Sequence, residues 1–468
     1  MITIEKKPTI CALSTAPGVG GIAVIRISGR DAFAIVDKIY SPAKKDAKVI
    51  DQGAYTLSYG KIYKANEILD EVIVAVFHGP NSFTGEDTVE ISCHGSAYIQ
   101  QEILKLLIEN GCELANPGEF TQRAFLNGKM DLSQAEAVAD LISSLSDASH
   151  RLAMNQMRGG FSKELSSLRT QLLDFVSLIE LELDFNEEDV EFADRTRLLE
   201  LANTIHTLIA KLVHSFSLGN AIKNGIPVVI VGETNAGKST LLNHLLNEDK
   251  AIVSEVHGTT RDIIEDVINI KGISFRFIDT AGIRETNDEI ETLGIERTFQ
   301  KIDQASIIVW MIDATQFSEK IEKIAEKIVP RTQNKKLIIV INKVDKLSDE
   351  EQLVIREEFL PQIPAEHIYL SAKYKQNTEE LEAALLNAAN LPNLNTNDVV
   401  VTNIRHYEAL SHALEAIERV IQGLQQGISG DFISQDIREC MHYLGEISGE
   451  ISTDEVLGNI FKNFCIGK

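Results

Sequence analysis

No stretch of this chain approaches the about 18 consecutive apolar residues that a bilayer-spanning helix requires, which argues against a membrane span. Cysteine is scarce. Cys11, Cys93, Cys112, Cys440 and Cys465 are scattered, odd in number and without a CxxC pair. That pattern suits reduced thiols better than a disulfide framework or a zinc site. Positive charge is short as well: Lys and Arg number 45 against 69 Asp and Glu, a net charge of -24. A field of that sign repels phosphate backbones and anionic membranes, so RNA would have to be met through a local basic patch or a basic partner. There is no internal repeat and no low-complexity tract. The opening MITIEKKPTICALS has no apolar run followed by a small-residue cleavage site. The chain is expected to be cytoplasmic, with no membrane partner.

What is present is an ordinary soluble composition, 44% apolar and 24% charged over 468 residues, enough for about three domains. Up to about residue 125, runs rich in Val, Ile and Thr (Thr9 to Ser14, Gly21 to Ser28, Glu71 to Phe77, Thr88 to Ser92) alternate with turn formers such as Pro17-Gly18, Gly79-Pro80-Asn81 and Thr84-Gly85. With a helix over Tyr98 to Asn110, stopped by Gly111, this reads as an α+β domain. From Asp131 the period becomes helical. Ser133 and Glu136 have capping-box spacing, and Leu132, Ala135, Ala139, Ile142 and Leu145 form a stripe. A second stripe runs through Leu165, Leu168, Leu172, Phe175, Ile179 and Leu183, and both read as bundle core. The acidic stretch Glu182 to Glu191 reads as a solvated loop rather than a metal cluster. From Gly225 to about residue 388 the pattern is strand, loop, helix, the mark of a parallel sheet covered by helices. After a linker-like LPNLNTN, helical stripes return at Leu410, Leu414, Ile417, Ile421 and Leu424, then Ile437, Met441 and Leu444. The fold class expected is multidomain: an N-terminal α+β domain and a helical bundle domain interrupted by an inserted α/β P-loop (Ras-like) G domain.

The inserted segment carries the chemistry. A buried strand, Val228 to Val231, leads into Gly232-Glu-Thr-Asn-Ala-Gly237-Lys238-Ser239, a GxxxxGK[ST] loop placed before a helix expected over Thr240 to Leu246. The glycines let successive amides, those of Asn235, Ala236 and Gly237 among them, face phosphates, and the helix N-terminus adds positive charge. Lys238 would bridge the terminal phosphates, and the Ser239 hydroxyl would ligate Mg²⁺. Asp279-Thr280-Ala281-Gly282 follows the apolar run Ile273 to Ile278, so that Asp279 can reach Mg²⁺ through water and the Gly282 amide can sense a γ-phosphate. Between them, Gly258-Thr259-Thr260 offers a hydroxyl for Mg²⁺, Thr260 being the favoured ligand. Asn342-Lys343-Val344-Asp345 follows the strand Leu337 to Ile341. A buried Asp345 would accept from guanine N1–H and the exocyclic amine and go unpaired against adenine. Ser371-Ala372-Lys373, after Ile368 to Leu370, would give backbone contact to the base. In this order, each at a strand end, the motifs specify GTP.

Hydrolysis needs something further, because Ile283 stands where a Ras-like GTPase has a water-orienting Gln. The motif set, the layout, the segments GPNSFTGED (79–87), PGEFTQRAFL (117–126) and DLSQAE (131–136), and the terminal Phe464-Cys465-Ile466-Gly467-Lys468 together resemble the MnmE (TrmE) family of tRNA modification GTPases. The resemblance spans nearly the full chain. It implies a K⁺-activated GTPase whose G domains pair. Asn235 would ligate K⁺ with backbone carbonyls of Ser254, Val256 and Thr259, and Glu255, His257 and Thr240 would lie along the GTP. Glu291 would activate water, acting through a bridging water if its ordinary carboxylate pKa makes it a poor base. Thr234, where the family often has Pro, is a departure.

The resemblance further implies an N-terminal domain that forms a homodimer and binds a 5-formyl-tetrahydrofolate-type one-carbon donor through Arg26, Glu90, Lys129 and Lys468. It also implies a flavoprotein partner, MnmG, in a heterotetramer, and tRNA as the modified partner. The expected division is 1–127 for folate binding and dimerisation, 128–219 and 387–468 for the two parts of the helical domain, and 220–386 for the G domain. Cys465 is a candidate nucleophile. Ser452 and Glu455 cap a helix whose apolar face is Val456, Leu457, Ile460, Phe461 and Phe464, and the C-terminal dipole of that helix would raise the thiol. The alternative is a small residue packing the tail into the folate pocket. Two other functions are expected less: a ribosome-assembly GTPase of the Era or Der type, which the acidic charge and the CIGK ending disfavour, and a dynamin-like membrane GTPase, for which no membrane-facing stretch exists.

Overall fold

The computed structural model describes residues 7–44, 48–184, 195–247, 266–278, 299–316, 319–333, 335–355, 365–390, 399–451, 454–462 and 464–467. The chain divides into two compact units. One comprises Met1–Ile142, Gln156–Ile205 and His412–Lys468; the other comprises Ser143–Asn155 and His206–Ser411.

In the first unit, strands β1 (Ile10–Leu13), β2 (Gly20–Ser28), β3 (Tyr40–Pro42), β4 (Thr56–Lys64), β5 (Glu67–Phe77), β6 (Thr88–Gly95) and β7 (Glu113–Leu114) form one sheet in the order β3-β4-β5-β6-β2-β1-β7. Alternation sets its faces: Val72, Val74 and Val76 on β5 and Val89, Ile91 and Cys93 on β6 point to one core. Helices Ala32–Ile39 and Ala97–Glu109 cover that face with Val36, Ile103 and Leu107. The expected helix over 98–110 is therefore present. Strand β4 and the helices Ala32–Ile39 and Glu119–Leu126 were not expected. In β4, Gly60, Lys61 and Lys64 dilute the Val, Ile and Thr signal that marks the other strands.

The helices of this unit follow their periodicity closely in one place and depart from it in another. Leu165, Leu168, Leu172, Phe175 and Ile179 are all buried on the helix Gly160–Asp184, which packs on Gly430–Ser448 through Ile437, Cys440 and Leu444. Arg169 pairs with Glu450 and Arg438 with Glu180. The helix Leu132–Ser143 starts differently from expectation. Asp131 Oδ1 accepts from the Gln134 amide at 2.9 Å and Gln134 Oε1 from the Asp131 amide at 3.0 Å. Asp131 thus takes the capping role assigned to Ser133, whose hydroxyl instead bonds Asp131 and Ser162. Ile142, placed in the core stripe, is exposed, because the helix ends one residue later. On the helix Ile404–Gln426, whose residues from His412 onward belong to this unit, Leu410, Ala413, Ile417, Val420 and Leu424 are buried, with Leu414 and Ile421 at the margin.

The second unit holds the inserted α/β domain, flanked in sequence by helical segments on both sides. Strands β8 (Ile226–Gly232), β9 (Asp266–Ile270), β10 (Ile273–Phe277), β11 (Ile307–Asp313), β12 (Lys336–Asn342) and β13 (Glu366–Leu370) lie in the order β13-β12-β11-β8-β10-β9. All neighbours are parallel except β9, an antiparallel edge on β10. Every residue of β11 is buried, which only a sheet covered on both faces produces. One face carries Val228, Ile230, Val309, Met311, Ile338 and Val340 against Leu241, Leu245, Leu381 and Leu385 of the helices Lys238–Asn247 and Thr378–Ala389. The other carries Val229, Val231, Trp310, Ile312, Ile339 and Ile341 against Ile302, Ile321 and Ile328. Since β8 has β10 on one side and β11 on the other, the strand order reverses there, and the crevice at the carboxyl ends of β8 and β11 is where such sheets bind ligands.

Phe175→Ala should cost about 3–5 kcal/mol of stability in urea denaturation, because it empties a fully buried position between two long helices. A midpoint indistinguishable from the parent would mean that this helix pair does not hold the unit together.

Candidate functional site

The loop between β8 and the helix Lys238–Asn247 has the backbone that amide cradles need. Gly232 (φ 152°) and Gly237 (φ 102°) lie in the left-handed region, as does Asn235 (φ 66°). A Cβ on Gly232 would press into the Met311 carbonyl, and one on Gly237 into the Asn342 side-chain amide, so both positions exclude a side chain by space as well as by torsion. Lys238 folds back over the loop. Its Nζ donates to the carbonyls of Gly232 at 2.8 Å and Glu233 at 2.7 Å, and burial pushes its ammonium down from the ordinary lysine value while Glu233 opposes. Ser239 stands half-buried in the first turn of the helix, whereas Asn235 and Thr240 are exposed. The cradle, the cation and the hydroxyl fit a nucleotide's phosphates and a Mg²⁺ beside them.

The ends of β12 and β13 close the site. Asn342 is 3% exposed and satisfied on both sides: its Nδ2 donates to the Ala236 carbonyl at 2.7 Å and its Oδ1 accepts from the Ala372 amide at 2.9 Å. Phosphate loop and 371–373 loop are thereby bound to one side chain. Ser371 exchanges backbone hydrogen bonds with Gln376, at 3.2 and 3.1 Å, so the amides of Ser371 and Ala372 are both committed within the protein. Lys373 lies over the Tyr374 ring. Asp345 sits on the turn Val344–Lys346 and accepts from the Ser371 hydroxyl at 2.5 Å. It is exposed, which corrects the expectation of a buried carboxylate. The chain has left the sheet at this point. Lys343, in the left-handed region at φ 67°, reaches Asp313. No motif pointed to Asp313; the available signal was a single acid closing the apolar run IIVWMID.

The structure therefore brings together Asn235 to Ser239, Asn342, Lys343, Asp345, Ser371, Ala372 and Lys373. Ser254, Glu255, Val256, His257, Gly258, Thr259, Thr260, Asp279, Thr280, Ala281, Gly282 and Glu291 lie outside the described residues, as does most of the acidic stretch near 185.

In the first unit, Arg26 and Glu90 are partners across β2 and β6, and Glu90 Oε1 accepts from Arg26 Nε at 2.8 Å and Nη2 at 2.7 Å. The Arg26 guanidinium stands over the rings of Phe83 and Phe120. Lys129 Nζ donates to the Pro80 carbonyl at 2.8 Å, on the loop that carries Phe83. A second polar group was not singled out in the sequence. Arg123, 3% exposed, bridges Glu86 and Glu119, and the Ser28 hydroxyl bonds Thr84 and Glu86. The two family segments 79–87 and 117–126 meet through that arginine. The tail is anchored by main chain: the Gly118 amide donates to the Cys465 carbonyl at 3.3 Å and the Ser14 hydroxyl to the Gly467 carbonyl at 3.1 Å. Cys465 itself is exposed, so it does not pack the tail, and it lies beyond the helix Asp454–Phe461 rather than at its end. Ser452 and Lys468 lie outside the described residues.

Similar proteins match the chain nearly from end to end. Residues 9–129 match the family described as GTP-binding protein TrmE N-terminus, and residues 132–465 match the MnmE helical domain. The tRNA modification GTPase MnmE of Bacteroides thetaiotaomicron is 62% identical over 465 residues, covering 99% of this chain and 100% of that one. Its counterpart in Flavobacterium johnsoniae is 55% identical over 466 residues, covering 99% of each. Among solved structures, Era of Aquifex aeolicus bound to GDP and AlF4- is 30% identical and covers 41% of this chain and 66% of that one, with a TM-score of 0.27.

Asn342→Ala should cost about 2 kcal/mol or more by thermal melting, since it strands a buried carbonyl and a buried amide, and it should weaken nucleotide binding as well. Asn342→Asp should do nearly as badly, because a carboxylate oxygen would face the Ala236 carbonyl. Either variant melting and binding like the parent would refute the tie.

Proposed function

Because the chain belongs to the MnmE family of tRNA modification GTPases, we propose that its hydrolysis of GTP drives a K⁺-dependent domain movement in wobble-uridine modification. The chain is a GTP hydrolase acting in tRNA modification, and in this reading it works on GTP together with Mg²⁺. Mg²⁺ supplies electrophilic stabilisation of the phosphates when bound, and Ser239 and Thr260 are the residues to hold it.

The observation that carries the reading is the amide cradle around Lys238, fixed by Asn342 beside Asp345 at the strand-order reversal of a parallel sheet. A cradle of amides aligns triphosphate, while the Asp345 carboxylate reads a purine edge that bears two donors. Ile283 cannot orient water, so Glu291 would take that role, and Asn235 with the carbonyls of Ser254, Val256 and Thr259 would hold a K⁺ that would supply the charge other GTPases bring as an arginine. The exposed left-handed Asn235 at the loop apex supports this, since its side chain is not spent on the fold.

Residues 1–127 form the domain for dimerisation and for a 5-formyl-tetrahydrofolate-type donor. Residues 128–219 and 387–468 form the helical domain, and 220–386 the G domain. The Arg26–Glu90 pair between Phe83 and Phe120 suits a flat polar heterocycle, with Lys129 and Lys468 for its anionic tail. With the FAD-dependent MnmG in a heterotetramer, the homodimer adds a carboxymethylaminomethyl or aminomethyl group at C5 of the wobble uridine of certain tRNAs. Exposed Cys465 is open to a nucleophilic role there. The setting is cytoplasmic; among the described residues, no helix is long and apolar enough to cross a membrane.

GTPase rates measured in KCl and NaCl at equal ionic strength should differ by about tenfold or more in favour of KCl, as removal of a charge at the transferring phosphate would predict. Equal rates would remove K⁺ from the mechanism. Mass spectrometry of wobble uridines from a strain lacking this protein should show the C5 substituent missing; intact wobble uridines would sink the tRNA role and favour the Era-type alternative.

A further inference from the structure

Strand β11 is buried along its whole length and ends on an acid. The Asp313 side chain is only 4% exposed, yet both of its oxygens are spoken for. Oδ1 accepts from the Thr315 amide at 3.0 Å and from the Thr315 hydroxyl at 2.7 Å; Oδ2 accepts from Lys343 Nζ at 2.5 Å. Burial by itself would raise this carboxyl, but Lys343 and Thr315 together hold it below the ordinary aspartate value. Thr315 satisfies one oxygen only. A buried charge that needs a lysine from another strand to be tolerated is costly, and a neutral residue would close β11 as well.

What the pair achieves lies on the lysine side. Asp313 and Asn342 are register partners on β11 and β12, so Lys343 is the next residue beyond the ladder. There its backbone turns into the left-handed region, rarely adopted by a lysine, before Val344–Lys346 carries Asp345 to the rim. The ammonium is tied down on Asp313 while the side chain as a whole stays 25% exposed. Its four-carbon stem is therefore held between the backbone and Asp313, with an end that is not free to wander. A heterocycle whose edge is read in plane by Asp345 needs an apolar surface on its face, and a stem ordered beforehand costs no entropy when the ring arrives.

We propose that Asp313 is a positioning residue of the guanine site: by gripping the Lys343 ammonium it lays the Lys343 stem where it covers one face of the purine whose edge Asp345 reads. This rests on the guanine-nucleotide reading of the site. Asp313 touches neither phosphate nor ring, and acts only through Lys343. Its loss falls equally on GTP and GDP, since they share the base, and spares the chemical step.

The test is equilibrium titration of the full chain with GDP and with GTP in the presence of Mg²⁺, together with steady-state kinetics. Asp313→Asn should weaken both nucleotides about tenfold, as expected for one lost charge-assisted contact, and raise KM by a similar factor while kcat at saturation holds within about twofold. Lys343→Met, which keeps a stem but no anchored tip, should lose about as much. The double variant should be no weaker than Lys343→Met alone, because the two residues form one device. Additive losses, unchanged affinity in Asp313→Asn, or a fall in kcat without a rise in KM would overturn the proposal, as would parent-like binding by Lys343→Met, a variant informative even if Asp313→Asn does not fold. A parent protein that binds neither nucleotide would sink the guanine site itself and is told apart from these outcomes at once.

Discussion

Two loops that share no secondary structure are held at a fixed spacing by one buried amide. Asn342 donates to a carbonyl of the phosphate loop and accepts from an amide of the 371–373 loop. Only one orientation of the side chain satisfies both, because a carbonyl can only accept and an amide N–H can only donate. The contact leaves no room for a Cβ at Gly237, where the chain runs against that same amide. The phosphate loop and the 371–373 loop are thus set against each other by a single side chain. The lysine and the aspartate of the same short motif then extend from it, one toward Asp313 and the other toward Ser371.

This arrangement depends on a sheet that is rigid because it is dry on both faces. Odd and even residues of β11 and β12 enter two separate cores, so that neither strand can slip in register without exposing an apolar row. Strand ends fixed in this way present Gly232, Asp313, Asn342 and Leu370 at one edge, and the loops beyond them inherit that placement. The first unit uses a different economy. Its sheet is apolar on the face toward the helices. The Arg26–Glu90 pair is carried by neighbouring antiparallel strands, and two further ion pairs through Arg123 join Glu86 to Glu119.

Much of this was legible in the residues. The stripe from Leu165 to Ile179 was buried as its spacing required, since a helix repeats its face whatever it packs against. The parallel strands of the second unit were visible as short apolar runs, and the phosphate loop as a spaced glycine–lysine pattern between a strand and a helix. Local rules were weaker where alternatives lay close together. Asp131, Ser133 and Gln134 all have capping side chains, and which pair closes the helix depends on Ser162, a residue distant in sequence that takes the Ser133 hydroxyl. Strand β4 was hidden because Gly60, Lys61 and Lys64 interrupt its apolar run, and pairing with β5 rather than composition makes it a strand.

The sequence by itself determined the phosphate loop, the nucleotide class and the family, because these reside in short contiguous patterns whose chemistry is local: glycines that free torsions, a lysine and a hydroxyl at a helix start, an acid after an apolar strand. Tertiary structure alone decided which side chains are spent on holding others. That Asn342 faces two loops, that Asp313 captures Lys343 and that Asp345 stands exposed at the rim follow from strand order and register, whereas Arg123 joins two distant segments through the packing of a helix on a loop. Register is settled by packing across the whole sheet, and no window of neighbouring residues contains it.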